Sequence, residues 1–398
     1  MLVIESIFIV ILILATIPVL IVSAQVFIAI LASKHKVIQP KLYDHLNVCI
    51  LIPAHNESVN IIPTLDSISQ NHASTLKVLV VADNCNDDTA EIVRQRGLEV
   101  IERHDHSRRG KGYALDFGIN HLRQFSPDIV IILDADCIVD GNAIDHLIDK
   151  AVSTGRPVQA NYLMFNRSAS ASIKMKIAEF GWLLKNYVRP LGFSIINLPC
   201  QLTGSGMAFP WRHISKINFA TGHIVEDMKL GLEAAEIAAA PVFCPNAKVY
   251  SYFPLNEEGV KSQRTRWEHG HLGIIFKDVP HILLKAILKK NLHLFAMGID
   301  LLVPPLSLMA MSLALLMVAG LLLVTIFNFP AIYFALTIYL NSLFALSIFC
   351  FWIAFGREII SLRQLLSIPY YILTKVPIYL RFVFKRQSEW VRSKRDEN

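Results

Sequence analysis

The sequence predicts an α/β fold, a mostly parallel sheet flanked by helices, with transmembrane helices at both ends of the chain. Three observations predict it. Of 398 residues, 53% are hydrophobic and 18% charged, with a mean hydropathy of +0.44. That is too apolar for a purely soluble protein, and it excludes a disordered or collagen-like chain. The longest apolar stretches lie toward the two ends. Between them, short apolar runs alternate with helical periodicity, the pattern of strands and helices wound into a parallel sheet.

Residues 6–33 contain no Asp, Glu, Lys or Arg, and a spanning helix needs about 20 such residues. A secretory signal peptide fits less well, because Glu5 stands where positive charge is expected. Residues 301–356 are equally free of charge, enough for two spans near 306–327 and 331–355. Asn328-Phe329-Pro330 is the predicted turn, since proline cannot continue the preceding helix. Lys34, Lys36 and Lys41 follow the first span, Lys285, Lys289 and Lys290 precede the second, and Arg357 and Arg363 follow the third. The positive-inside rule places all of them in the cytoplasm. The stretch 365–384 carries Pro369, Lys375, Pro377 and Arg381 and reads as an interfacial segment rather than a fourth span. The division expected is an anchor over 1–33, a cytoplasmic body over 34–290, a two-helix membrane region over 291–364, and an interfacial segment with a basic tail over 365–398. The net charge of +6 suits anionic membrane lipids as partners better than nucleic acid. The six cysteines form no CxxC pair and read as reduced cytosolic thiols.

Within the body, residues 48–52 read as a buried strand and 58–70 as a helix with Ile61, Leu65 and Ile68 on one face. A second strand is expected at 77–82, then a helix at 88–96 that Asp87 or Asp88 can cap. A helix at 113–123 and a strand at 129–133 follow. Ligands of such sheets bind beyond the carboxyl ends of the strands. The polar residues fall there: Pro53-Ala54-His55-Asn56-Glu57 after the first strand, Asp83-Asn84 after the second, Asp134-Ala135-Asp136 after the strand at 129–133. A shared acidic cleft is the expectation.

Each motif has a chemical and a plain structural reading. Asp134 and Asp136, separated by one residue, can hold Mg²⁺ or Mn²⁺, or form an acidic turn. Asp83 can accept a hydrogen bond from the imide N–H of a uracil ring, or belong to a helix-capping turn; its loop lacks the glycine of a calcium site. Lys111, between Gly110 and Gly112 before a helix, suits a phosphate as well as a solvated basic turn. Asp227 can act as a general base on an acceptor hydroxyl, or sit beside Glu226 as a first-turn acid of a helix over 227–236. Arg266 can bind diphosphate and Trp267 can stack on a sugar, or the pair can anchor at a membrane interface. His104, His106, His269 and His271 read as solvated loop histidines.

Taken in order, these motifs resemble the membrane-bound bacterial members of glycosyltransferase family 2. The matching pieces are the PAHNE stretch, the Asp83 loop, GKG, DAD, the stretch Leu202-Thr203-Gly204-Ser205-Gly206-Met207, the Glu226-Asp227 pair and the QxxRW pattern from Gln263 to Trp267. The resemblance spans about residues 46–270 and implies a GT-A fold and a nucleotide-sugar donor. It implies that Ala54, Asn56, Glu57, Asp83, Lys111, Asp134 and Arg266 bind the donor. It makes Asp134 and Asp136 the ligands of Mg²⁺ or Mn²⁺, and Asp227 the catalytic base. Gly204, Ser205, Gly206, Glu226, Gln263 and Trp267 are implied to contact the acceptor or close the site. The expected function is inverting transfer of a sugar, from a UDP-sugar by preference, to a lipid-linked or polysaccharide acceptor at the inner membrane. Val225 stands where cellulose synthases have threonine, and with three spans this leaves single-sugar transfer to a glycolipid open. A nucleotidyltransferase and a non-catalytic nucleotide-sugar-binding membrane subunit are rival readings of the same residues.

Overall fold

The structure, a computed structural model, describes residues 2–31, 39–43, 45–71, 76–167, 171–220, 225–254 and 257–384. Lys34, Lys36, the 221–224 stretch before Glu226 and the basic tail after 384 lie outside them. The chain forms two compact units.

One unit is built on an eight-stranded sheet: β1 (Val48–Ala54), β2 (Leu76–Asp83), β3 (Glu99–Arg103), β4 (Ile129–Ile132), β5 (Ile138–Val139), β6 (Val158–Phe165), β7 (Met207–Pro210) and β8 (Val242–Tyr252). Their order is β3-β2-β1-β4-β7-β6-β8-β5. The first four neighbours are parallel. β7 runs antiparallel to β4 and β6, and β5 antiparallel to β8, while β6 and β8 are parallel. The sheet is therefore mixed. Ile50, Leu51 and Ile52 on β1 and Ile131 and Ile132 on β4 are fully buried, as expected of strands covered by helices on both faces. On one face Leu51, Leu79, Val81, Val130 and Ile132 pack with Leu115 and Ile119 and with Phe209 of β7. The pairing Ala54↔Ala82 brings the loop after β1 level with Asp83, the last residue of β2.

The other unit carries the apolar helices. Val3–Leu31, Leu306–Phe327 and Ile332–Gly356 are long and apolar enough to cross a membrane, at the three places the sequence indicates. The 365–384 stretch is broken into short helices, Ile368–Leu373 and Val376–Phe384, after Leu362–Leu366. Asp300, near the end of helix Leu292–Leu301, is ion-paired to Arg189 of helix Arg189–Ile195 at 2.7 Å. Gln25 joins them: its amide nitrogen donates to Asp300 at 2.7 Å, and its oxygen accepts from Arg189 Nε at 2.8 Å. The three close a polar ring, a common solution for charge in an apolar setting.

His269 and His271 correct the sequence reading. They lie buried in helix Glu257–Lys277, and their Nε2 atoms hydrogen-bond the carbonyls of Ile378 and Leu301 at 3.0 and 3.1 Å.

Candidate active site

The ends of β1, β2 and β3 form one wall of the site. Asp83 is 6% exposed, and a carboxylate this buried needs a cation or several donors. Arg103, the last residue of β3, supplies it: its guanidinium donates to Asp83 at 2.6 Å and to Asp105 at 3.0 Å, and also to the Arg108 carbonyl at 2.9 Å. Asn84 ties the same two loops, accepting from the Asp105 backbone N–H at 2.8 Å. Asn56 accepts from Asn86 N–H at 2.7 Å. The Glu57 carboxylate, also buried, accepts from Asn60 at 3.0 Å, and the Cys85 thiol donates to the Ala54 carbonyl at 3.5 Å. Asp87, rather than Asp88, meets the next helix, accepting from Thr89 N–H at 3.2 Å. Arg103 was not among the sequence candidates. The available signal was the combination of an aspartate at one strand end and an arginine at the end of the neighbouring strand. Arg103→Met strands a buried carboxylate, and a loss of about 3–5 kcal/mol of stability is expected in denaturant unfolding.

The centre of the site is assembled on β4 and two helix N-termini. Lys111 opens helix Lys111–Leu122. Its ammonium is ion-paired with Asp134, just beyond β4, and donates to the Gly204 carbonyl at 2.6 Å. Burial works against the Lys111 charge, but Asp134, Glu226 and Asp227 outweigh it and raise its pKa. Gly112 is required here: a Cβ would stand 2.5 Å from the Phe219 carbonyl oxygen. Gly204 has φ +96°, and a Cβ on it would lie 3.4 Å from Asp227 Oδ2. The Asp134 backbone N–H donates to Ser205 Oγ at 3.0 Å. Glu226 and Asp227 begin helix Glu226–Glu236, whose N-terminus favours negative charge.

Burial pushes the Glu226 carboxyl from 4.5 up to about 7, opposed by Lys111 and Arg266 and assisted by Asp227 and Asp134. Between those values the folded protein binds more protons than the unfolded chain, so this group's stability contribution is full below about 4.5 and lost as pH rises through about 7. The Glu226→Gln variant is expected to flatten that fall, read as the thermal midpoint from pH 4.5 to 8 without nucleotide or divalent cation.

Asp134, Asp136 and Cys137 place one potential ligand atom each within 4.8 Å of one another, the only such group among the described residues. The carboxylates are the hard donors that Mg²⁺ and Mn²⁺ select. The thiol fits less well: burial and the two aspartates push its pKa well up, and it is hydrogen-bonded to Ser205 Oγ at 3.1 Å. The residues present thus fit a hard divalent cation held by Asp134 and Asp136.

Gln263, Arg266 and Trp267 lie on helix Glu257–Lys277, half-buried. Arg266 acts electrostatically on Glu226, which joins the QxxRW segment to the centre. Gly204, Ser205, Glu226, Asp227, Lys111 and Asp134 are likewise gathered there, while Asp83, Asn56 and Glu57 form the wall at β1 and β2.

The site is thus a set of carboxylates and a lysine gathered beyond the strand ends of a mixed α/β sheet. Residues 45–270 match the profile of the family "Glycosyltransferase like family 2". The chain belongs to this family. Among curated proteins it is 25% identical over 256 residues to a 4,4'-diaponeurosporenoate glycosyltransferase of Staphylococcus haemolyticus, covering 61% of this chain and 65% of that protein. It is 24% identical over 240 residues to a poly-beta-1,6-N-acetyl-D-glucosamine synthase of Staphylococcus epidermidis, covering 58% of this chain and 56% of that one. The match thus spans less than two thirds of either relative. Among solved structures it is similar to a mannosyltransferase of Pyrobaculum calidifontis in complex with GDP-Man and Mn²⁺, with 17% identity and a TM-score of 0.48, covering 84% of this chain and 99% of that one.

Proposed function

We propose that the protein is a membrane-bound, inverting, divalent-cation-dependent glycosyltransferase. It moves a sugar from a nucleotide-sugar, a UDP-sugar by preference, to a lipid-linked or polysaccharide acceptor in cell-surface polysaccharide synthesis. The observation that carries this reading is the meeting of Lys111, Asp134 and the Glu226-Asp227 pair around Gly204. That arrangement sets a cation and metal-binding carboxylates, suited to a diphosphate, beside a carboxylate suited to an acceptor hydroxyl.

In this mechanism Asp227 takes the proton of the acceptor hydroxyl. The acceptor oxygen attacks the anomeric carbon from the face opposite the diphosphate, and the bond to the nucleoside diphosphate breaks. Lys111 and Arg266 offset the charge that develops on the leaving group, the kind of stabilisation that often dominates such catalysis. Asp134 and Asp136 would hold Mg²⁺ or Mn²⁺, which would supply further neutralisation of the diphosphate. Asp83, fixed by Arg103, accepts from the imide N–H of the base. Ala54, Asn56 and Glu57 complete the nucleoside wall, and Gly204, Ser205, Gly206, Glu226, Gln263 and Trp267 face the acceptor or close the site. We assign residues 34–290 to the cytoplasmic face of the inner membrane, on the basic residues flanking the spans.

Transfer of one sugar to a lipid is a second reading, favoured by the relative named for a diaponeurosporenoate acceptor. Membranes containing the protein are incubated with labelled UDP- and GDP-sugars and Mn²⁺. Nucleoside diphosphate release with labelled product is expected, and pyrophosphate release or binding without turnover would overturn the proposal. A ladder or high-mass product selects the polysaccharide acceptor, and a single lipid-soluble product selects the glycolipid.

A further inference from the structure

We propose that Gln159, on β6, is a positioning residue of the active site: its side-chain amide clamps the 203–206 turn in the conformation that seats Lys111 and Asp134. The proposal rests on the reading of Lys111, Asp134 and Asp227 given above. Gln159 is 2% exposed and uses both ends of its amide. Nε2 donates to the Ser205 and Ala160 carbonyls, each at 2.9 Å, and Oε1 accepts from the Thr203 backbone N–H at 2.9 Å. A side-chain amide has two N–H donors and one carbonyl acceptor, and here each is engaged.

What the clamp holds makes it more than packing. The turn carries two glycines in left-handed conformation, Gly204 and Gly206, with φ +96° and +66°. Such backbone loses more freedom on folding than any other, so its shape depends on the bonds made to it. Gln159 grips residues 203 and 205, on either side of Gly204. Gly204 presents its carbonyl to Lys111 at 2.6 Å and its Cα to Asp227. Ser205 Oγ accepts from the Asp134 N–H at 3.0 Å. One buried amide thereby sets the seat of the proposed diphosphate-binding lysine, the backbone of the first metal-binding aspartate, and the flank of the proposed base. No other neutral side chain of that length offers two donors and an acceptor in one plane.

The test uses the full chain in membranes, with Gln159→Met, Gln159→Glu, Lys111→Met and the double variant Gln159→Met/Lys111→Met. Gln159→Met is expected to lower kcat/KM for sugar transfer at least about tenfold. Gln159→Glu keeps an acceptor for Thr203 but turns an oxygen on the Ser205 carbonyl, and is expected to be no better. The signature of positioning is coupling to the group positioned, since contacts that share a network are not additive. Gln159→Met should therefore cost at least about fivefold less in the Lys111→Met background than in the wild-type protein. Transfer by Gln159→Met within twofold of wild type, or equal cost in both backgrounds, would overturn the proposal. Should Gln159→Met fail to fold, judged by its thermal midpoint, Gln159→Asn carries the same thresholds, with the amide one methylene short. Full activity of Lys111→Met would instead overturn the phosphate reading, and Gln159→Met alone then decides the positioning role.

Discussion

Asp227→Asn is expected to lower the rate of sugar transfer by about 10²–10⁴-fold, the usual worth of a positioned general base, while donor binding changes little. Asparagine has nearly the same shape and can still accept from the Met228 backbone N–H, which Asp227 now engages through Oδ1 at 2.9 Å. It cannot take the proton of an acceptor hydroxyl. A steady-state assay with saturating donor, beside direct binding of labelled UDP, separates the two effects. Wild-type turnover in Asp227→Asn would remove it as the base. A loss confined to UDP affinity would move it to the donor site.

Asp134→Asn and Asp136→Asn are expected to lower transfer by about 10²–10³-fold, comparable to losing one preorganised electrostatic contact in an active site. The two should differ in kind. Asp136→Asn removes one hard ligand, and its deficit should shrink as Mn²⁺ is raised. Asp134→Asn also breaks the ion pair with Lys111, so added Mn²⁺ should restore less. Titrating activity against Mn²⁺ distinguishes them, and a wild-type titration for both variants would refute the assignment of these carboxylates to the cation.

Three of the four strands in the parallel half were legible, because β1, β2 and β4 are largely buried apolar runs, whereas β3, with Glu99, Glu102 and Arg103 among its five residues, is not an apolar run and was not expected. β5 is two residues long and β7 four, and β8 carries Asn246 and Lys248 within its length. Those strands are defined by their partners rather than by their own pattern, so local periodicity could not find them. The same division runs through the site. Asp134, Asp136, Glu226, Asp227 and Lys111 could be put forward from the sequence because each belongs to a short motif whose chemistry is local. Arg103 and Gln159 were not, because each works across strand or loop neighbours far apart in sequence. The buried state of His269 and His271 was missed for a related reason: both are satisfied by carbonyls more than 25 residues away.

The ring of Gln25, Arg189 and Asp300 poses a problem of biogenesis. Its three members enter the chain 164 and 111 residues apart, so the first apolar helix is made long before its polar partners. Gln25 is neutral and lies within the first apolar span, so it can enter a lipid phase alone at modest cost. The ring can therefore close only once Asp300 has been synthesised. Arg189 lacks its carboxylate partner until then, with Gln25 its earlier hydrogen-bond partner, and the apolar-helix unit reaches its final packing as a late event of synthesis.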